Sequence, residues 1–234
     1  AMPTEFGGAG LGILEAALMM ETVAGSGAGM SGASALHMNI FGLHPVVVFG
    51  SDEQKRRWLP PLIRGEEKAC FAVTEPNTGL NTLQLKTAAV RQGDHYVVNG
   101  QKVWTSYART ADYGMLIART DWDVPKHRGL SFFFLPMKQP GVEVRPLRQI
   151  TNESQFNEVF ITDAICPEEN LLGELGQGWG VLQTALAYER SVMGEGARGP
   201  RSGAAESKNE EPLIALAREA GALGDPLVRQ EISK

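Results

Sequence analysis

The chain has 234 residues, 43% of them hydrophobic, and 22 basic against 27 acidic side chains leave a formal charge of −5. That is enough apolar material for a sizeable core, and the charges are mixed throughout, with no basic tract to neutralise a run of phosphates, which excludes nucleic acid as a partner. The two cysteines, Cys70 and Cys166, lie in separate apolar strand-like runs without the spacing of a metal knuckle or redox pair. They read as packing residues in a reducing, cytoplasmic compartment.

The opening "AMPTEFGGAGLGILEAALMM" has no basic leader, and its acids and glycines break the apolar run short of a membrane span. Neither a secretion signal nor a membrane helix is expected. From Leu11 to Ala24, Leu14, Ala17, Leu18 and Val23 recur at helical spacing until Gly25 to Gly29 interrupts them. A second apolar helix is expected over Ala33 to Phe49, and "SDEQ" at Ser51 to Gln54 matches a capping box opening a third. The glycine-rich "GSGAGMSGASA" is not a phosphate loop, since it follows a helix rather than a strand and lacks the Lys-Ser/Thr ending. His37 and His44 stand seven apart on one helix face with no acid or cysteine spaced to complete a metal set, so no metal is assigned. His44, before Pro45, reads as a helix-end or substrate-wall residue.

After "RGEEK" the period becomes two. "CFAV", "LKTAAVR", "HYVV", "KVWTS", "YGMLIAR", "LSFFFL", "VEVRPL" and "NEVFI" are short β-branched and aromatic runs. Asn99-Gly100 between "YVV" and "QKVW" is the strongest hairpin signal, because a type I′ turn needs positive φ at both central residues. Helix returns from Gly176, followed by the polar "RGPRSGAAESKNEEP", read as a surface loop, and a last helical stretch. The fold class is α+β: N-terminal helices over 1–67, a central antiparallel β-barrel or sandwich over 68–174, and the start of a C-terminal helical bundle over 175–234. Both ends read as interrupted, so the terminal domains are expected to be partial.

The loop "TEPNTGLNT", Thr74 to Thr82, is too polar and too rich in turn formers for core. Main-chain N–H groups around Gly79 and the hydroxyls of Thr74 and Thr82 offer donors, Pro76 stiffens the turn, and glycine permits close approach. A ligand is expected against it.

"ACFAVTEPNTGLNTLQLKTAA", "YVVNGQKVWTS", "ARTD", "FNEVFI", "NLLGELGQGWG" and "LAYER", in this order and spacing, resemble the acyl-CoA dehydrogenase family from about Pro3 to Arg190. The resemblance implies an FAD enzyme that oxidises an acyl-CoA to the trans-2-enoyl-CoA. It implies that Phe71, Val73, Thr74, Gly79 and Leu80 contact FAD, as do Trp104, Thr105 and Ser106, with Trp104 near the isoalloxazine. The common family loop reads Gly-Ser-Asp where this chain has Gly79, Leu80 and Asn81, so one hydroxyl contact is missing. Ser106 keeps a hydroxyl in a strand that usually reads Trp-Ile-Thr-Asn.

Abstraction of a proton beside a thioester requires a polarised carbonyl and a carboxylate whose pKa burial has raised. By resemblance to the isovaleryl-CoA and long-chain dehydrogenases, that base is Glu189 in "LAYER", and Arg190 contacts the CoA part of the substrate. Other family members carry the glutamate in a later helix. The Arg-x-x-Phe-Gly segment with which family members hold the FAD adenosine of a neighbouring subunit is absent. The implied partners are the acyl-CoA, an electron-transferring flavoprotein, and further copies in a homodimer or homotetramer. Two rivals stand beside this reading: a flavin oxidase or monooxygenase on the same fold, and a catalytically inactive subunit. Acyl chain length and branching are not legible.

Overall fold

A computed structural model of the chain describes residues 2–196 and 212–232, which divide into two compact units, Ala1–Ala197 and Arg198–Lys234. The polar stretch expected as a surface loop, 198–212, lies outside the described residues except for Pro212.

The first unit opens with α1 (Ile13–Val23), a π-helical turn at Ala24–Ala28 with Gly27 at φ +97°, and α2 (Gly29–Phe41). The helix expected over 33–49 is two helices, because α3 (His44–Phe49) starts afresh after a turn at Gly42-Leu43. Pro45 lacks the N–H that would continue the ladder of α2, and in the first turn of α3 that missing N–H has no intrahelical partner to lose. α4 (Asp52–Arg64) begins with the expected capping box: Gln54 N–H donates to Ser51 Oγ at 3.2 Å, and Ser51 N–H to Gln54 Oε1 at 3.0 Å. The same Gln54 amide donates to the carbonyls of Glu169 and Leu171, tying α4 to the far end of the sheet.

The sheet comprises β1 (Ala69–Ala72), β2 (Ala88–Gln92), β3 (His95–Lys102), β4 (Tyr113–Arg119), β5 (Leu130–Pro136), β6 (Val142–Pro146), β7 (Asn157–Pro167) and β8 (Leu171–Leu172). Its order is β6-β7-β3-β2-β4-β5-β8, with β1 also on β4. The sheet is mixed rather than wholly antiparallel: β1 runs parallel to β4 from Ala69 opposite Tyr113, and β2 joins the same edge of β4 at Ala88 opposite Arg119. Residues 73–87 between these two strands must leave the sheet, and this places the polar loop.

Asn99-Gly100 is not a hairpin turn. β3 runs straight through it, the two-residue turn falls at Gly93-Asp94, and the pairing of β3 with β7 slips between Val98 and Gly100. Gly100 is required there because a Cβ would meet Thr87 Oγ1 at 2.4 Å, and Asn99 exchanges two 2.9 Å hydrogen bonds with Asp163. The asparagine-glycine pair thus marks a bulge.

β4 and β5 are buried on both faces. Leu116, Ala118, Phe133 and Leu135 pack with β3 and β7 residues such as Tyr96, Val98 and Ile161. Met115, Ile117, Phe132 and Phe134 pack under Trp58, Leu59 and Leu62 of α4 and under Val181 and Leu182 of α5 (Gly178–Gly196). In the second unit, α6 (Pro212–Glu219) and α7 (Pro226–Ile232) flank a turn at Gly221, and Asp225 caps α7 by accepting the Leu227 N–H at 2.8 Å. No described helix is long and apolar enough to cross a membrane.

Candidate active site

The excursion from β1 begins with a closed turn: Glu75 N–H donates to Thr78 O at 3.1 Å and Thr78 N–H to Glu75 O at 3.0 Å, with Pro76 at the corner. Val103 N–H donates to Thr74 O at 2.9 Å, stitching the loop to the end of β3. Beyond Thr78 the loop runs open. Among the described residues nothing accepts the main-chain N–H of Gly79, Leu80 or Asn81, and those of Trp104 and Ser106 are equally unpaired. Leu80 is fully solvent-exposed at 107%.

Trp104 stands at φ +58°, a left-handed conformation rare for a bulky side chain, and 58% of its surface is exposed. Bonds on both sides enforce it: Val103 to Thr74, and Thr105 with Asn157 in both directions at 3.0 and 3.1 Å. The indole edge meets Phe156, ring centroids 6.1 Å apart. Its remaining surface faces a cavity.

That cavity is about 580 Å³, within the range of small-molecule sites. Of the residues selected from sequence, Phe71, Val73, Thr74, Gly79, Leu80, Trp104, Ser106, Glu189 and Arg190 all line it. Thr105 does not reach it: its side chain is completely buried and Oγ1 has no hydrogen-bond partner. The remaining wall comes from Thr82 and Val103 and from two helical stripes, Ser34, His37 and Phe41 on α2 and Trp179, Gln183 and Leu186 on α5. Counting back from Arg190 in steps of four, three and four reaches Leu186, Gln183 and Trp179, so ordinary helical periodicity contained this signal.

Glu189 is half-buried, and desolvation lifts its carboxyl above the usual carboxylate range, against the pull of Arg190. His37 is 6% exposed, its Nε2 has no partner, and burial lowers its pKa against the raising effect of the Glu189 main-chain carbonyl. The cavity therefore joins a row of free main-chain donors, a flat aromatic wall and a carboxylate biased towards holding a proton. Such donors and such a wall fit the polar edge and ring face of a flavin dinucleotide.

The family model for the acyl-CoA dehydrogenase N-terminal domain matches residues 1–66, and the model for the middle domain matches residues 70–164. Acyl-CoA dehydrogenase IpdE1 of Mycolicibacterium smegmatis is 36% identical over 246 residues, covering 98% of this chain and 59% of its own length. Among solved structures, the Tcur3481-Tcur3483 steroid ACAD superposes with a TM-score of 0.77 at 28% identity, covering 99% of this chain and 57% of its own. The acyl-CoA dehydrogenase complexed with FAD from Bacillus anthracis gives a TM-score of 0.72 at 34% identity over 83% of this chain and 33% of its own. The chain thus spans less than two thirds of each of these relatives. Two domains of one family matched in order, with the same fold over nearly the whole chain, show that it belongs to the acyl-CoA dehydrogenase family.

Proposed function

We propose that the protein carrying this chain removes the α-proton and the β-hydride of an acyl-CoA thioester to give the trans-2-enoyl-CoA. The observation that carries this reading is the placement of Glu189, half-buried with a raised pKa, on the wall that also holds the open loop and Trp104. When bound, FAD supplies the acceptor for the hydride. Gly79, Leu80, Trp104 and Ser106 present it with main-chain N–H groups, and Phe71, Val73 and Thr74 line the same wall. With Leu80 in place of serine, the main chain and Ser106 supply the polar contacts.

Glu189 takes the α-proton. Its burial brings its proton affinity closer to that of a carbon acid made acidic by a hydrogen-bonded thioester carbonyl. Arg190, exposed beside it, meets the charged CoA portion. Electrons then leave through an electron-transferring flavoprotein, and the assembled enzyme is a homodimer or homotetramer. The domains divide at 67/68 and 174/175. Likeness to the steroid ACAD makes a steroid side-chain CoA ester the first substrate to try, with straight-chain acyl-CoA as the control.

The test is anaerobic bleaching of the bound flavin's visible absorbance by acyl-CoA. Glu189→Gln should retain the flavin and bleach at least about 10²-fold more slowly, the loss typical of a removed general base. Unchanged bleaching would remove Glu189 as the base. A flavin that never bleaches would indicate an inactive subunit, and stoichiometric peroxide in air an oxidase.

A further inference from the structure

Beneath the open loop lies an ion pair that does not touch the cavity. Lys102, at the end of β3, is completely buried, and Glu75 is 6% exposed. Lys102 Nζ donates to the Val73 carbonyl at 3.1 Å and to Glu75 Oε1 at 3.0 Å. Glu75 Oε1 also accepts the Thr87 N–H at 2.9 Å and the Thr87 hydroxyl at 2.6 Å, while Oε2 accepts the Lys86 N–H at 2.7 Å. The partners therefore sit at both ends of the excursion from the sheet: Val73 where it leaves β1, Lys86 and Thr87 where it enters β2. Glu75 and its neighbours line a separate cavity of about 200 Å³ that shares no lining residue with the first.

A buried ion pair is weak evidence of stability, since a well-packed apolar pair of the same volume often serves the fold as well. What an apolar pair cannot do is bind one carbonyl and three donors at fixed positions. The main-chain N–H groups of residues 79–81 are unpaired, although the Asn81 carbonyl accepts the Gln84 N–H at 3.0 Å, and Gly79 and Leu80 of this stretch line the cavity that the closed ring of contacts borders.

We infer that Lys102 and Glu75 are positioning residues, which close the 73–87 excursion into a ring and so fix the Gly79–Asn81 donors where the flavin binds. The inference rests on the flavin reading above. It holds the pair responsible for affinity rather than for folding.

The first test is the double variant Glu75→Gln, Lys102→Met, which removes both charges and keeps one amide oxygen to accept from Thr87. The flavin-free protein should melt within a few degrees of wild type. Its FAD dissociation constant, from fluorescence quenching, should rise at least about tenfold, and amide exchange over 73–82 should accelerate while β4 and β5 stay unchanged. Unchanged affinity and exchange would overturn the proposal, as would exchange that accelerates across the whole sheet.

Should the double variant fail to fold, wild type alone decides through pH. Burial holds Lys102 down to about 8, and Glu75 is the charged group acting on it. A folded pKa below the unfolded one means that losing this proton does not weaken the fold: between about 8 and 10.4 the unfolded chain binds more protons, so stability rises with pH. FAD affinity that falls through pH 8 at undiminished melting temperature supports the pin; affinity flat through that range overturns it. If wild type binds no FAD at all, the flavin reading fails, and the exchange comparison still decides whether the pair holds the loop.

Discussion

Trp104 in the left-handed region costs its backbone about 1–2 kcal/mol, a strain that persists because Thr74 and Asn157 hold the residues on either side. Those holders are 30 and 53 positions away in sequence, so a resemblance marks the tryptophan while its strain stays invisible in the local pattern. The same reversal separates Ser106, on the wall, from Thr105, sealed behind it. His44 shows a different kind of hidden constraint: its ring lies on Tyr188 with centroids 3.4 Å apart, Nδ1 is unpartnered, and burial chiefly lowers its pKa to about 4. As pH falls from 6.5 towards 4, the unfolded chain gains a proton that the folded one refuses, so stability present above 6.5 is lost, on the order of 3 kcal/mol in all. Thermal melts at neutral and acid pH should show this fall, and His44→Phe should shrink it.

The elements legible in the sequence are those whose determinants are local. The Ser51–Gln54 capping box starts α4 where its pattern places it, and Gly25 to Gly29 interrupts the helices as expected. What local pattern could not supply is which strand lies alongside. Asn99-Gly100 carries the chemistry of a tight turn, yet Asp163 on β7 binds the asparagine and Thr87 crowds the glycine, so the pair becomes a bulge inside a long strand. Parallel pairing of β1 and β2 with one edge of β4 is likewise a choice between distant segments. Gly100→Ala should destabilise the protein by about 1–3 kcal/mol through its clash with Thr87, read from the urea midpoint. A neutral effect would mean the bulge tolerates a side chain and that the glycine serves only flexibility.

Across the molecule, the cavity wall draws on segments that meet only after folding: α2, the excursion between β1 and β2, the end of β3, and α5. Sequence motifs reached the loop, Trp104 and Glu189. The α2 stripe escaped because Ser34, His37 and Phe41 become a wall only when α5 packs beside them. α5 itself is seated at one end. Gly176 N–H donates to Ser131 Oγ at 2.9 Å, and a Cβ on Gly178 would stand 2.4 Å from the Ser131 carbonyl carbon. Glu189 lies eleven residues further along, about 16 Å at 1.5 Å per residue. The helix is therefore a lever with its fulcrum on β5: a pivot of about 5° at Gly178 swings the carboxylate by about 1.5 Å, enough to cost about 10²-fold in a reaction that depends on aim. Gly178→Ala should leave the circular dichroism of the fold intact and depress the rate of flavin bleaching by about that factor, so that a methyl group placed against the sheet would disarm the proposed base, Glu189, without touching it.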